Sequence, residues 1–290
     1  MTKPKCTLRL TGRDLNLFAD LFRISPMLRG QIHRLHFREA ALRRVNRRLT
    51  ALVRAGYLTH EPLPLGPVSR MASGDSLSGG GQFLYRLTPA TAALVATHCK
   101  TDIAEVRRRI RLGTPGFLAH AIECAEIATL LLAPPDYAGF AGLTCLEYRG
   151  EIEATHAYDY REAGGTWRTE VFKPDGYALL QAGRHTEHIF CEIDLGHASA
   201  EQWRGKLFSI RRYQSTGAFQ KRYAAPGFTL WVLTTGIVRA EHLLSLAKEQ
   251  GVDNVLVATL LDFAQRGPLA PIWHGTDRTS PMAMFGKEAK

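Results

Sequence analysis

The stretch that decides the fold reads Phe172-Lys173-Pro174-Asp175-Gly176, an apolar run to Leu180, a turn at Gly183, and then Ile189-Phe190-Cys191-Glu192-Ile193-Asp194-Leu195. Burying a carboxylate without a partner is expensive, so acids inside apolar strands imply a partner. Two such strands joined by a turn bring Asp175, Glu192 and Asp194 toward one end of a sheet. That end is a place to hold a divalent cation.

Around this hairpin, a chain of 290 residues is long enough for two modest domains. No apolar run reaches the length of a membrane span, and the start (Met1-Thr2-Lys3-Pro4-Lys5) lacks the apolar core of a signal peptide. Five scattered cysteines, with no Cys-x-x-Cys pair, read as reduced thiols of a cytoplasmic protein. The net charge of +10 is concentrated: residues 1–60 hold thirteen Lys/Arg against three Asp/Glu, and the remainder is balanced at 24 of each. A polyanion is therefore the expected partner of the N-terminal region.

The basic region carries helix signals in quick succession. Thr11-Gly12-Arg13-Asp14 resembles a capping box, followed by Leu15, Phe18, Leu21 and Phe22 at helical spacing. Ser25-Pro26 ends that helix. Met27, Leu28, Ile32 and Leu35 form the apolar set of a second helix. A third is expected from about Glu39 to Ala55, with Leu42, Val45, Leu49, Leu52 and Val53 buried and Gly56 as its stop. Its opposite face carries Arg43, Arg44, Arg47 and Arg54, flanked by Asn46 and Arg48. Two strand-like runs, 57–61 and 82–87, flank a Gly/Ser/Pro-rich segment from Pro62 to Gly81. Three helices and a strand pair make the plan of a winged helix-turn-helix over residues 1–98, with the third helix aimed at the major groove of double-stranded DNA. An arginine-rich face is often merely solvated, but here charge, element order and wing agree. The arginines are expected to contact phosphates.

A linker is expected over 99–114, an α/β domain over 115–275 and a flexible tail over 276–290. An apolar helix from Phe117 to Leu132 precedes strand-like runs at 143–148, 176–181, 188–195 and 228–234, with a helix at 200–213 before the last. This order suits a mixed sheet with helices on its faces, so the chain is α/β overall.

Pro-Asp at the start of one strand and Glu-x-Asp inside the next resemble the PD-(D/E)XK nuclease pattern. More specifically, the whole chain resembles the replication-relaxation family of plasmids and mobile elements. The landmarks are Ala55-Gly56-Tyr57-Leu58, the helix with His120, Lys173-Pro174-Asp175-Gly176-Tyr177, Phe190 to His197, Lys206 with Tyr213, Arg239, and Gly267-Pro268-Leu269-Ala270-Pro271-Ile272-Trp273. The resemblance implies that Asp175 and Glu192 hold Mg²⁺ for phosphodiester cleavage. It also implies a lysine two residues after the glutamate, where this chain has Asp194. Replacing a cation by an anion reverses the local electrostatics. Either Lys206 reaches back from the next helix, or catalysis has been lost and the fold serves as a scaffold. The family's further acid would be Glu123, Glu126 or Glu147.

Structural explanations compete with each of these. Asp175 fits an Asx turn after Pro174, and Glu192 and Asp194 fit ion pairs with Lys206 or Arg211. His185, His188 and His197 match no zinc spacing, so surface roles are expected of them. Trp203 and Tyr213 read as core. The expectation is thus a DNA-binding protein acting in replication, transfer or relaxation, with a homodimer or other replication or transfer proteins as further partners. It is either a Mg²⁺-dependent nuclease, in which Asp175, Glu192 and Asp194 bind the ion for phosphodiester cleavage and Lys206 is the catalytic cation, or a non-enzymatic regulator or accessory factor. A regulator with a ligand-binding effector domain lacks support, since there is no Gly-rich phosphate loop.

Overall fold

The computed structural model describes residues 8–24, 26–63, 83–111, 118–162, 164–277 and 280–285. Ser25, most of the Gly/Ser/Pro-rich segment, residues 112–114 of the expected linker and 115–117 at the start of the expected α/β domain lie outside these residues. The chain divides into two compact units, 1–129 and 130–290.

The N-terminal unit begins with α1 (Gly12–Ile24), β1 (Met27–Leu28), α2 (Arg29–His36) and α3 (Leu42–Arg54). It continues with β2 (Leu58–Pro62), β3 (Phe83–Leu87), a 3-10 turn at Pro89–Thr91, α4 (Ala92–Cys99), α5 (Ile103–Arg111) and the start of α6 (Leu118–Leu132). The start of α1 is a true capping box: Asp14 N–H donates to Thr11 Oγ1, and the Asp14 carboxylate accepts from Thr11 N–H at 2.7 Å. At the far end of α3, Gly56 has φ +81°, Gly56 N–H bonds Val53 C=O and Tyr57 N–H bonds Leu52 C=O. That is a Schellman stop, and it turns the chain directly into β2.

Three expectations need correcting here. Met27 and Leu28 are not helical; they pair with Tyr85 and Leu84 of β3, which makes the sheet three-stranded in the order β1-β3-β2. Following a proline, these two residues gain backbone partners in the sheet that a helix start would leave open. Leu42 is half exposed rather than buried, because α3 begins with it and its first turn projects beyond the packed stripe of Val45, Leu49 and Leu52. Residues 103–111 of the expected linker form a regular helix, α5, which packs on α1 and α4 through buried Val106.

The second unit opens with the end of α6, followed by β4 (Leu143–Gly150), the single turn α7 (Glu151–Ala154), β5 (His156–Arg161), β6 (Trp167–Phe172), β7 (Gly176–Ala182) and β8 (His185–Asp194). Then come α8 (Ala200–Ser215), α9 (Ala218–Tyr223), β9 (Thr229–Thr234), α10 (Ile237–Glu249), β10 (Val255–Thr259), α11 (Leu260–Arg266) and β11 (His274–Gly275). The mixed six-stranded sheet has the order β11-β10-β9-β8-β7-β4. β8, β9 and β10 run parallel, while β4–β7, β7–β8 and β10–β11 are antiparallel. β5 and β6 form a separate two-stranded ribbon in a stretch without an expected strand-like run.

Against one side of the sheet lies an aromatic core in which Tyr213 stacks on Phe172 with centroids 4.1 Å apart, and Phe190, Phe219 and Phe228 surround them. Gly139 and Gly267 press backbone to backbone: a Cβ on Gly267, which has φ +78°, would lie 2.4 Å from the Gly139 carbonyl oxygen. The tail is tied down in part, since Trp273 and Met282 exchange both backbone hydrogen bonds; 278–279 and 286–290 lie outside the described residues.

Candidate functional site

The capping box that starts α8, with Ser199 accepting from Gln202 N–H, sets the register of this helix beside the end of β8. That register aims Lys206 at the strand, and its ammonium pairs with Glu192. Pro174 and Gly176 bracket Asp175 just before β7. Asp175 N–H donates to Cys191 C=O, and its carboxylate accepts from Ile193 N–H at 2.8 Å. The carboxylate is thereby pinned beside Glu192, with which it also shares a side-chain hydrogen bond. The Glu192 side chain is 2% exposed. Burial, together with the neighbouring Asp175 charge, pushes its carboxyl up to about 8 despite the opposing pull of Lys206.

Asp194 belongs to a different assembly. Its side chain is 1% exposed and receives a two-toothed bond from Arg239 (2.7 and 3.1 Å), one from Thr234 Oγ1 (2.9 Å) and one from Trp203 Nε1 (3.2 Å). Burial alone would raise its carboxyl, but these donors outweigh burial and hold it below the usual carboxylate range. Asp194, expected as a catalytic acid and standing where the resemblance implies a lysine, has its side-chain partners in Arg239, Thr234 and Trp203. The structure neutralises it with Arg239, which also ties the start of α10 to the Ala198 carbonyl. Of the two ion-pair alternatives, Glu192–Lys206 is formed, whereas Asp194 takes Arg239 and Arg211 instead donates to the Gln250 carbonyl. The role of Arg239 was not readable beforehand, because its 45-residue separation from Asp194 leaves no local signal.

The other candidates separate in the same way. Glu126 is engaged within the N-terminal unit, by Gln31 Nε2 at 2.9 Å and by the Arg34 guanidinium. Glu123 is buried. Glu147, on β4, is paired with Arg149 at 2.6 Å. Trp203 and Tyr213 are buried as expected. His188 hydrogen-bonds Tyr177 OH at 2.8 Å, and His185 and His197 are exposed.

On α3, Arg43, Arg44, Arg47 and Arg54 are exposed, and among the described residues none of them has a carboxylate partner. Asn46 is also exposed and accepts a long 3.4 Å bond from Arg29. Arg48 differs from the others: it clamps the buried Asp14 carboxylate through Nε at 2.9 Å and through its second nitrogen, and it bonds the Arg9 carbonyl. Arg48 is thus bound to α1.

A basic helical unit followed by a mixed α/β unit with a buried acid–lysine cluster defines the class of architecture. The replication-relaxation family matches residues 18–227, and the chain belongs to that family. Membership connects it with replication or relaxation of plasmids or mobile elements. No curated protein and no solved structure matches the chain. No described helix is long and apolar enough to cross a membrane.

Proposed function

We propose that this protein binds double-stranded DNA of a plasmid or mobile element through its N-terminal unit, a winged helix-turn-helix in which α3 is the recognition helix and β2–β3 the wing. The observation that carries the reading is the exposed face of Arg43, Arg44, Arg47 and Arg54, which among the described residues has no acidic partner. Over the sequence of the two units, residues 1–129 hold 20 Lys/Arg against 9 Asp/Glu, and residues 130–290 hold 17 against 18. The polyanion-facing charge thus belongs to the first unit.

The second unit, in this reading, is a PD-(D/E)XK-like domain in which Asp175 and Glu192 hold Mg²⁺. The donor set fits such an ion. Two adjacent carboxylates supply hard oxygen ligands, and a divalent cation would offset both the burial of Glu192 and the neighbouring Asp175 charge that together push its carboxyl up. Bound Mg²⁺ would supply Lewis-acid stabilisation of phosphate charge and a more acidic water. Lys206 supplies the cation that the strand position lacks, arriving from α8 rather than from β8. Arg239 removes the repulsion that a bare Asp194 would exert on a phosphate. Asp175 is held beside Glu192 by its own N–H on the Cys191 carbonyl and by the Ile193 N–H on its carboxylate.

The test uses supercoiled plasmid with Mg²⁺ or Mn²⁺, for the wild type beside Asp175→Asn and Lys206→Met. Conversion to nicked or linear DNA by the wild type alone supports the nuclease. Intact plasmid with every metal sinks it and leaves the second reading, a DNA-binding accessory factor built on a nuclease fold.

A further inference from the structure

Two of the exposed arginines of α3, Arg44 and Arg47, also line a cleft of about 330 Å³ whose other side is formed by α1, which the recognition-helix reading leaves unused. One wall is the α3 face formed by Arg44, Arg47, Arg48 and Ala51, residues spaced to share a helix side. The other wall is the first turn of α1, with Thr11 and Arg13, and Phe37 closes the end. The Arg13 guanidinium lies over the Phe37 ring, 5.0 Å from its centroid, which holds a long side chain in place at the rim. The one acid in the cleft, Asp14, is buried and spent on Arg48 and Thr11. Arg13, Arg44 and Arg47 have no carboxylate partner among the described residues. Three arginines from two helices therefore line one concavity, none of them with a carboxylate partner among the described residues. Guanidinium forks match phosphate oxygens, and a lone solvated arginine gains nothing from such an arrangement.

We propose that this cleft is a phosphate seat, with Arg13 of α1 and Arg44 and Arg47 of α3 as its ligands. The occupant is a phosphate group of a DNA strand, either an internal diester or the terminal phosphate at a break. The proposal rests on the reading of the N-terminal unit as DNA-binding, and it adds a contact from α1 that α3 alone does not provide.

Two measurements on the full chain separate its failure from that of the DNA reading. In the first, the melting temperature is compared in inorganic phosphate and in chloride at equal ionic strength, with no DNA present. The wild type should gain roughly 3–5 °C in phosphate, and Arg13→Gln and Arg47→Gln should each lose that gain. An absent gain, or one that Arg13→Gln retains, overturns the seat whatever the protein does with DNA. In the second, affinity is measured for intact duplex and for nicked duplex bearing a 5′-phosphate or a 5′-hydroxyl. Arg13→Gln should weaken binding about tenfold and lower the salt slope by about one. Preference for the 5′-phosphate nick assigns the seat to a terminal phosphate, and equal binding assigns it to the backbone diester. If Arg43→Gln weakens DNA binding while Arg13→Gln does not, the seat fails and the recognition helix stands.

Discussion

At the scale of single residues, Asp194 and Glu192 are two positions apart on one strand face and do opposite things. Asp194 is fully compensated, so Asp194→Asn leaves the Arg239 guanidinium facing a neutral amide inside the protein. It should cost about 3 kcal/mol in denaturant unfolding, equally with and without Mg²⁺. A metal-dependent loss would instead place Asp194 in the ion site. The same reasoning applies to Asp14 and Arg48. Asp14's folded carboxyl lies below its unfolded value, so its contribution is present above pH about 4 and fades as pH falls through the folded pKa. In acid titrations followed by circular dichroism, Arg48→Ala should therefore lose about 2 kcal/mol near neutrality and less as the pH drops below 4. Arg43→Ala, which has no carboxylate partner among the described residues, should leave that curve unchanged while weakening DNA binding.

At the scale of elements, the readable parts were those whose signal is local. The cap at Thr11–Asp14, the Gly56 stop, the apolar α6 and the acidic strands of the hairpin all carry their own periodicity or turn chemistry. Other parts were decided by distant partners. Met27 and Leu28 have helix-compatible side chains and became a strand because β3, some 57 residues away, offers backbone groups. α5 was hidden by its own arginines: its apolar positions are Ile103, Val106 and Ile110, and Arg109 fills the next packing position by lying over Phe22 at 4.4 Å. The site was half legible. Residue types and order placed Asp175, Glu192 and Lys206 together, while the diversion of Asp194 to Arg239 was hidden because that landmark arginine carries no local signal for a partner 45 residues away. An element junction makes the third prediction. Gly267→Ala would force a methyl into the Gly139 carbonyl at a left-handed backbone position, and should cost at least about 2 kcal/mol by thermal unfolding. A neutral outcome would mean that α11 and the 136–142 segment are not held in contact.

At the scale of the whole molecule, the contrast in charge between the two units makes a claim about where salt acts. The logarithm of DNA affinity should fall steeply with the logarithm of salt, and a combined Arg43→Gln, Arg44→Gln and Arg47→Gln variant should flatten that slope by about three. Charge-neutralising substitutions of the same number at exposed Arg204, Lys221 and Arg222 in the second unit should leave it nearly intact. A slope governed by the second set would transfer the main DNA surface to the α/β unit.

The β5–β6 ribbon has a further consequence. The chain leaves the six-stranded sheet at Gly150 and re-enters it at Gly176, and these two residues are direct partners in the β4–β7 ladder. Everything between them is one closed excursion, fastened back by Phe172 and Tyr158 in the aromatic core and by Glu170, which bonds Arg212 and Ser209 of α8. A segment attached at a single gate and a few anchors opens as a block. In native-state amide exchange, the ribbon's amides should therefore share one protection factor, distinct from that of β7 and β8, and loosening the Glu170 anchor should lower them all together.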